Sequence, residues 1–409
     1  MKKLLLFLFS VLLLISCSNE LPDHHLSVKR ERTILAYLVA NNDLDGDIMQ
    51  NVKWMYESLV ASPDTCTLLV YYKPTPSNEN IDIPQILEFR TDGYGNINGM
   101  PAADWGNITI SSMLQCAKIH RANEGLSTDP SVMEDVLKTM QEIAPSRSYG
   151  LIFGSHATGW LPTSGTVSTY SFGQDGSSSN AINIPQLAQT LEQSFPNRNL
   201  DFVMFDACMM GTAEVAYELR NATRYCFASV METPRIGMPY NRIFDLLYNE
   251  VVDWQSVCNA IVAFNSEDAA RAWGTYAAID CSKMEELAEV VKDELLLHRD
   301  AIRGLDYTAV QQYGVLPYQN FSFDLVDYLT KVNGGVTPEA IRTVMSQAVV
   351  AKNCLSGALH NLKGLVIDDK RFSGIGMYDP CNVNKKTWTS YYTSSIAWYQ
   401  AVGWEEVIH

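Results

Sequence analysis

Several things are missing from this chain, and each absence removes a class of function. Positive charge is scarce: 30 Lys and Arg stand against 46 Asp and Glu, for a formal net charge of −16. That balance argues against nucleic acid or anionic-lipid surfaces as partners. The nine cysteines contain no CxxC spacing, so no zinc site is encoded. Setting aside Cys17 and Cys208 leaves seven, an odd and poorly spaced set for a disulfide framework. Most of them read as small apolar core residues, in a protein from a reducing or anaerobic habitat. The longest apolar run, Leu4 to Ile15, is too short to span a bilayer. No internal repeat is visible.

What is present begins at the N-terminus. Lys2 and Lys3 precede the Leu4 to Ile15 run, the layout of a secretory signal. The run closes on Leu14-Ile15-Ser16-Cys17, which resembles the bacterial lipobox cut before a cysteine that is then lipidated. Residues 1–16 are therefore expected to be a signal peptide and 17–32 a tether lipidated at Cys17. The expected location is an exported bacterial lipoprotein of the outer membrane, periplasmic or surface-facing, touching the membrane only through its lipid. A plain signal peptide is the alternative. The adjacent His24 and His25 could bind metal, but a solvated linker is the simpler reading of so polar a stretch.

With an apolar fraction of 47% over 409 residues, the remainder can bury a large core. Short apolar runs at Thr33 to Ala40, Cys66 to Tyr72, Tyr149 to Gly154, Phe202 to Phe205 and Tyr225 to Val230 predict strands. Between and after them, helical patterns run from Ile48 to Leu59, Pro130 to Ile143, Ile184 to Gln193 and Thr212 to Leu219. Strands alternating with helices predict an α/β fold with a mostly parallel central sheet. Beyond Tyr240 the pattern changes. Helices are expected at Arg242 to Tyr248, Trp254 to Asn265, Lys283 to His298, Phe323 to Val332, Pro338 to Val350 and Trp388 to Val402. Strands are expected at Gly274 to Ile279, Gly364 to Ile367 and Gly374 to Tyr378. We divide the chain into a core, 33–245, and a mixed α/β C-terminal region, 246–409, packed on it as a monomer.

The loop Asn41-Asn42-Asp43-Leu44-Asp45-Gly46-Asp47 admits two readings. It resembles the front of a calcium loop, but Trp54 stands where the closing glutamate belongs. Asn and Asp before a helix also cap it and complement its dipole. No cofactor is required on either reading.

Two predicted strands end in reactive residues. One runs out at Ser155-His156-Ala157, the other at Asp206-Ala207-Cys208. The carboxyl rim of an open α/β sheet is where such folds bind ligands. A thiol is nucleophilic only as thiolate, so it needs a base, and His156 can supply one and later protonate a leaving amine. Small residues after His156 leave room for a scissile bond and for N–H groups facing an oxyanion. Cys208 is equally able to be inert packing, since cysteine is among the most buried residue types. His120, His298, His360 and His409 have no such context and read as surface or satisfied helix residues.

The surrounding motifs are more specific. Gly154-Ser155-His156-Ala157-Thr158-Gly159-Trp160, Phe172-Gly173-Gln174-Asp175-Gly176 and Phe205-Asp206-Ala207-Cys208-Met209-Met210 follow one another in order. Glu214 to Leu219, Ala228 to Pro234 and Gly237-Met238-Pro239-Tyr240 continue the series. This order resembles the clostripain family, which belongs with caspases, gingipains and legumain. The resemblance implies a caspase-like αβα sandwich and a cysteine endopeptidase acting on proteins or peptides. It implies Cys208 as nucleophile, His156 as general base and acid, and Ala157, where the family usually has glycine, as an oxyanion donor. Asp206 and Glu232 are implied as acids of a pocket for Arg or Lys, with Arg235 placed to neutralise it. Arg198 is the sole base between His156 and Cys208, so activation by cleavage there does not follow the family's pattern. The alternative is a surface or periplasmic binding lipoprotein that keeps the scaffold without efficient turnover.

Overall fold

The computed structural model describes residues 28–162, 171–177, 179–313, 322–356, 366–382 and 386–408. Cys17, His24, His25, His360, His409 and the first half of the strand expected at Gly364 to Ile367 lie outside them. Nine strands form one sheet: β1 (Lys29–Val39), β2 (Thr65–Lys73), β3 (Gln85–Arg90), β4 (Lys118–Arg121), β5 (Ser148–Gly154), β6 (Leu200–Asp206), β7 (Tyr225–Ala228), β8 (Gly274–Asp280) and β9 (Val349–Leu355). Their spatial order is β9-β8-β7-β6-β5-β1-β2-β3-β4. The central five, β2-β1-β5-β6-β7, are parallel. An antiparallel pair flanks them on either side.

The parallel strands are continuous apolar runs because both of their faces are covered. Along β1, Leu35, Tyr37 and Val39 enter one core while Ile34, Ala36 and Leu38 enter the other. The first face is packed by α2 (Pro130–Ile143), α3 (Ile184–Ser194) and α6 (Met284–Leu297), the second by α1 (Asp45–Ala61) and α5 (Trp254–Ser266). Here α4 denotes Ala213–Glu218, which follows β6. The result is the layered αβα arrangement expected from sequence.

Differences cluster in the last third. The helix expected to run from Pro338 to Val350 stops at Ala348, and the chain continues as β9. Phe323 and Asp324 pair with Gly376 and Met377 before a helix begins at Leu325, capped by Asp324. The aromatic helix expected at Trp388 to Val402 is two short ones, Lys386–Ser395 and Ala397–Ala401, and a third, Trp404–Ile408, follows it. The sheet itself extends beyond residue 245, since β8 and β9 are laid alongside β7. All eight cysteines among the described residues are free. No described helix is long and apolar enough to cross a membrane.

Candidate active site

Strands β5 and β6 are neighbours in register, with Gly154 paired to Asp206. His156 and Cys208 each stand two residues further on, so both leave the sheet at the same carboxyl edge. On the other side of β5 lies β1, with Leu38 opposite Gly154. From β1 the chain goes to β2 in one direction, whereas β5, β6 and β7 lie in the other. This reversal is the point at which open α/β sheets form their binding crevice. A cavity of about 520 Å³ opens here, lined by Asp43, His156, Asp206, Cys208, Glu232 and Arg235 among others.

The two loops touch directly. Met209 has φ +62° and donates its N–H to Met231 O at 2.8 Å, and Gly211 does the same to Ser229 O. Opposite, Gly159 has φ +66°, and a Cβ there would stand 2.6 Å from Met209 O. Glycine alone fits both the angle and the approach. Cys208 Sγ is half-buried and accepts from Thr233 N at 3.4 Å. Burial pushes the thiol up to about 11, and the nearby Glu232 and Asp206 add to the rise against the Thr233 hydrogen bond. Such a thiol ionises only with help from a base.

His156 donates or accepts at Nε2 with Asp43 Oδ1, 2.7 Å away. The hydrogen bond to His156 is the main influence holding the Asp43 carboxyl below its usual range. Behind this contact, Asn42 is buried and donates to Val39 O at 2.9 Å, Gln174 O at 3.0 Å and Ser155 Oγ at 3.3 Å. Ser155 Oγ in turn donates to Val39 O at 2.9 Å. Ala157 is buried, and neither its N–H nor that of Cys208 bonds to another described backbone carbonyl outside the regular helices and strands.

The pocket acids differ in their surroundings. Asp206 Oδ2 accepts from Met238 N at 3.1 Å and Tyr240 OH at 3.0 Å. Its burial pushes the carboxyl up to about 6. Glu232 is half-buried, its pKa also raised by burial, and among the described residues its carboxylate has no hydrogen-bonded or ion-pair partner. Arg235 does not neutralise either acid. Its guanidinium is held by Asp47 Oδ2 at 2.6 Å, Asp43 Oδ2 at 3.2 Å and Asp43 O. Two aspartates on the far side of the crevice outcompete the pocket acids for this cation.

The Asn41–Asp47 loop likewise departs from its simplest reading. No side chain caps α1, although Asp45 and Asp47 lie in its first turn. Asp45 is instead bonded by Tyr72, Thr75 and Asn78. Asp43 and Asp47 thus share Arg235 while Asp45 serves separate partners, and among the described residues no three His, Cys, Asp or Glu are grouped to hold a metal. His120 sits on β4 rather than a helix, 2.6 Å from Glu88.

One contribution was invisible in the sequence. Trp160, on the His156 loop, packs its ring 4.9 Å from Tyr378 and 4.8 Å from Tyr392. Glu214, on α4 just after the Cys208 loop, accepts from Tyr378 N at 2.8 Å and Tyr392 OH at 3.1 Å. The C-terminal aromatics therefore grip both loops from below. The pairing of Asp43 with His156 was also missed; its one signal is a polar loop at the end of the first strand.

Comparison with known proteins follows the same lines. The clostripain from Hathewaya histolytica is 24% identical over 228 residues, 52% of this chain but 41% of that protein's length. A secreted C11 cysteine protease from Bacteroides thetaiotaomicron, solved with an irreversible peptide inhibitor, superposes with a TM-score of 0.71 at 23% identity. It covers 92% of this chain and 99% of its own. An inactive zymogen C11 protease from Parabacteroides distasonis gives 0.71 at 22% identity, covering 91% and 98%. These likenesses establish the caspase-like fold. The sequence profile of the clostripain family matches residues 36–409, nearly the whole of the described chain, and this chain therefore belongs to the clostripain family of cysteine peptidases.

Proposed function

We propose that the chain is a cysteine endopeptidase in which Cys208 is the nucleophile and His156 the general base and acid. The observation that carries this is their delivery, from adjacent in-register strands, into one cavity at the switch point of the sheet. His156 takes the thiol proton as Sγ bonds the scissile carbonyl carbon. The N–H groups of Ala157 and Cys208 receive the charge on the carbonyl oxygen. The carbon–nitrogen bond then breaks, with His156 protonating the departing amine. Water, relieved of a proton by His156, splits the thioester and restores the thiol.

Arg or Lys before the scissile bond suits the pocket. Glu232 offers a carboxylate unpartnered among the described residues, and Asp206 lies beside the nucleophile; a cation between them gains charge-assisted contacts. The test is covalent labelling by an acyloxymethyl ketone carrying Arg or Lys. Wild type should be modified at Cys208, while Cys208→Ala should be unmodified and lose peptide hydrolysis by at least about 10³-fold. A folded wild type that is never modified would favour the second reading, a binding scaffold. For location, the lipobox-like Leu14 to Cys17 supports lipid anchoring, and Cys17→Ser should move the protein from membranes to the soluble fraction. Retention on membranes after that change would remove the anchor from the proposal.

A further inference from the structure

The polar loop after β1 contains no member of the proposed dyad, yet one of its carboxylates reaches it. We propose that Asp43 is a positioning residue for His156: it keeps the ring proton on Nε2, so that Nδ1 is the nitrogen that takes the Cys208 proton. This rests on the reading of Cys208 and His156 as the catalytic pair. A neutral imidazole carries one N–H and one lone pair, and an acceptor fixed at one nitrogen decides which is which. Asp43 Oδ1, 2.7 Å from Nε2, is such an acceptor. A base oriented by a third group is the recurring form of an activated nucleophile.

An isolated exposed ion pair would do little, and the Asp43 side chain is 66% exposed. This contact is braced from both sides. Beneath it, the buried Asn42 and Ser155 side chains join the loop of Asp43 to the loop of His156. Across the crevice, Arg235 grips the second Asp43 oxygen and is itself held by Asp47. The carboxylate therefore has one preferred place, and when His156 becomes imidazolium its positive charge forms against an anion already oriented. The Asn41–Asp47 stretch thereby acquires a use that neither capping nor calcium explains.

The experiment uses full-length protein with Asp43→Ala and Asp43→Asn. Asp43→Ala should lower kcat roughly tenfold with KM almost unchanged, the modest factor reflecting exposure of the pair. Asp43→Asn should recover part of the loss, because its side-chain carbonyl still accepts from Nε2–H. In a Cys208→Ala background, ¹⁵N shifts of the His156 ring should report the Nε2-protonated tautomer, becoming a mixture once Asp43→Ala is added. Unchanged kcat and an unchanged tautomer in Asp43→Ala, with wild type still labelled at Cys208, overturn the positioning role alone. A wild type that resists labelling overturns the dyad, and the present inference with it.

Discussion

The two loops of the active crevice are held from opposite sides by opposite chemistry. Above, the Asp43–Arg235–Asp47 group is charged and largely exposed. Below, Trp160, Glu214, Tyr378 and Tyr392 form a dry aromatic grip. Charges in water are weakly stabilising and easily rearranged, whereas buried rings contribute through area and close packing. The upper group is therefore suited to directing a proton and the lower to fixing where the loops sit. Stability and activity should respond separately when each is broken.

The largest effect is expected below. Trp160 is fully buried, and its Nε1 has no partner among the described residues, so Trp160→Ala removes packing alone. Denaturant unfolding should show a loss of about 3–5 kcal/mol, with activity falling as the loops lose their seat. A loss below ~1 kcal/mol would mean that the C-terminal aromatics do not brace the site.

Next is a pH dependence with a definite sign. Burial raises the Glu214 carboxyl to about 7, above its unfolded value. The native state therefore binds more protons than the unfolded state between the two values, and stability falls as pH rises through that window. Glutamine mimics the protonated acid. Relative to Glu214→Gln, wild type should lose on the order of 2–3 kcal/mol between about pH 5 and about pH 8. Parallel curves would show that Glu214 does not titrate there.

A smaller effect concerns the pocket. Asp206, raised to about 6, is neutral below that pH and charged above it. For an Arg substrate, kcat/KM should rise roughly tenfold from about pH 5 to about pH 8 beyond any rise for an uncharged counterpart. Identical profiles for the two substrates would detach Asp206 from specificity. The smallest effect sharpens the comparison: Asp43→Ala should change unfolding stability by less than about 0.5 kcal/mol, as surface substitutions do. A large loss would make Asp43 part of the structural grip.

What sequence reading recovered follows from how each signal is made. The parallel strands are buried on both faces, so their apolar runs stood out, and the residues at their ends located the crevice. The outermost strands were missed for the converse reason. Three of four β4 residues are exposed, and in β9 only Ala351 is buried, so neither leaves an apolar pattern. Arg235 was misplaced because its partners are 188 and 192 residues away. Proximity in sequence favoured Glu232; folding delivered Asp43 and Asp47. The grip of Tyr378 and Tyr392 is equally non-local, and an aromatic-rich tail reads as core without saying what it holds.

The antiparallel run of β8 and β9 beside β7 has a consequence for shortening the chain. A fragment ending near Tyr248 would keep Cys208 and His156 but leave Tyr225–Ala228 with unpaired N–H and C=O groups. It would also uncover Phe227 and Phe202, against which Trp254 packs. An apolar strand with an open hydrogen-bonding side is a template for another copy of itself. Such a fragment should form aggregates rather than a minimal peptidase, so the final third acts as a built-in guard against self-association.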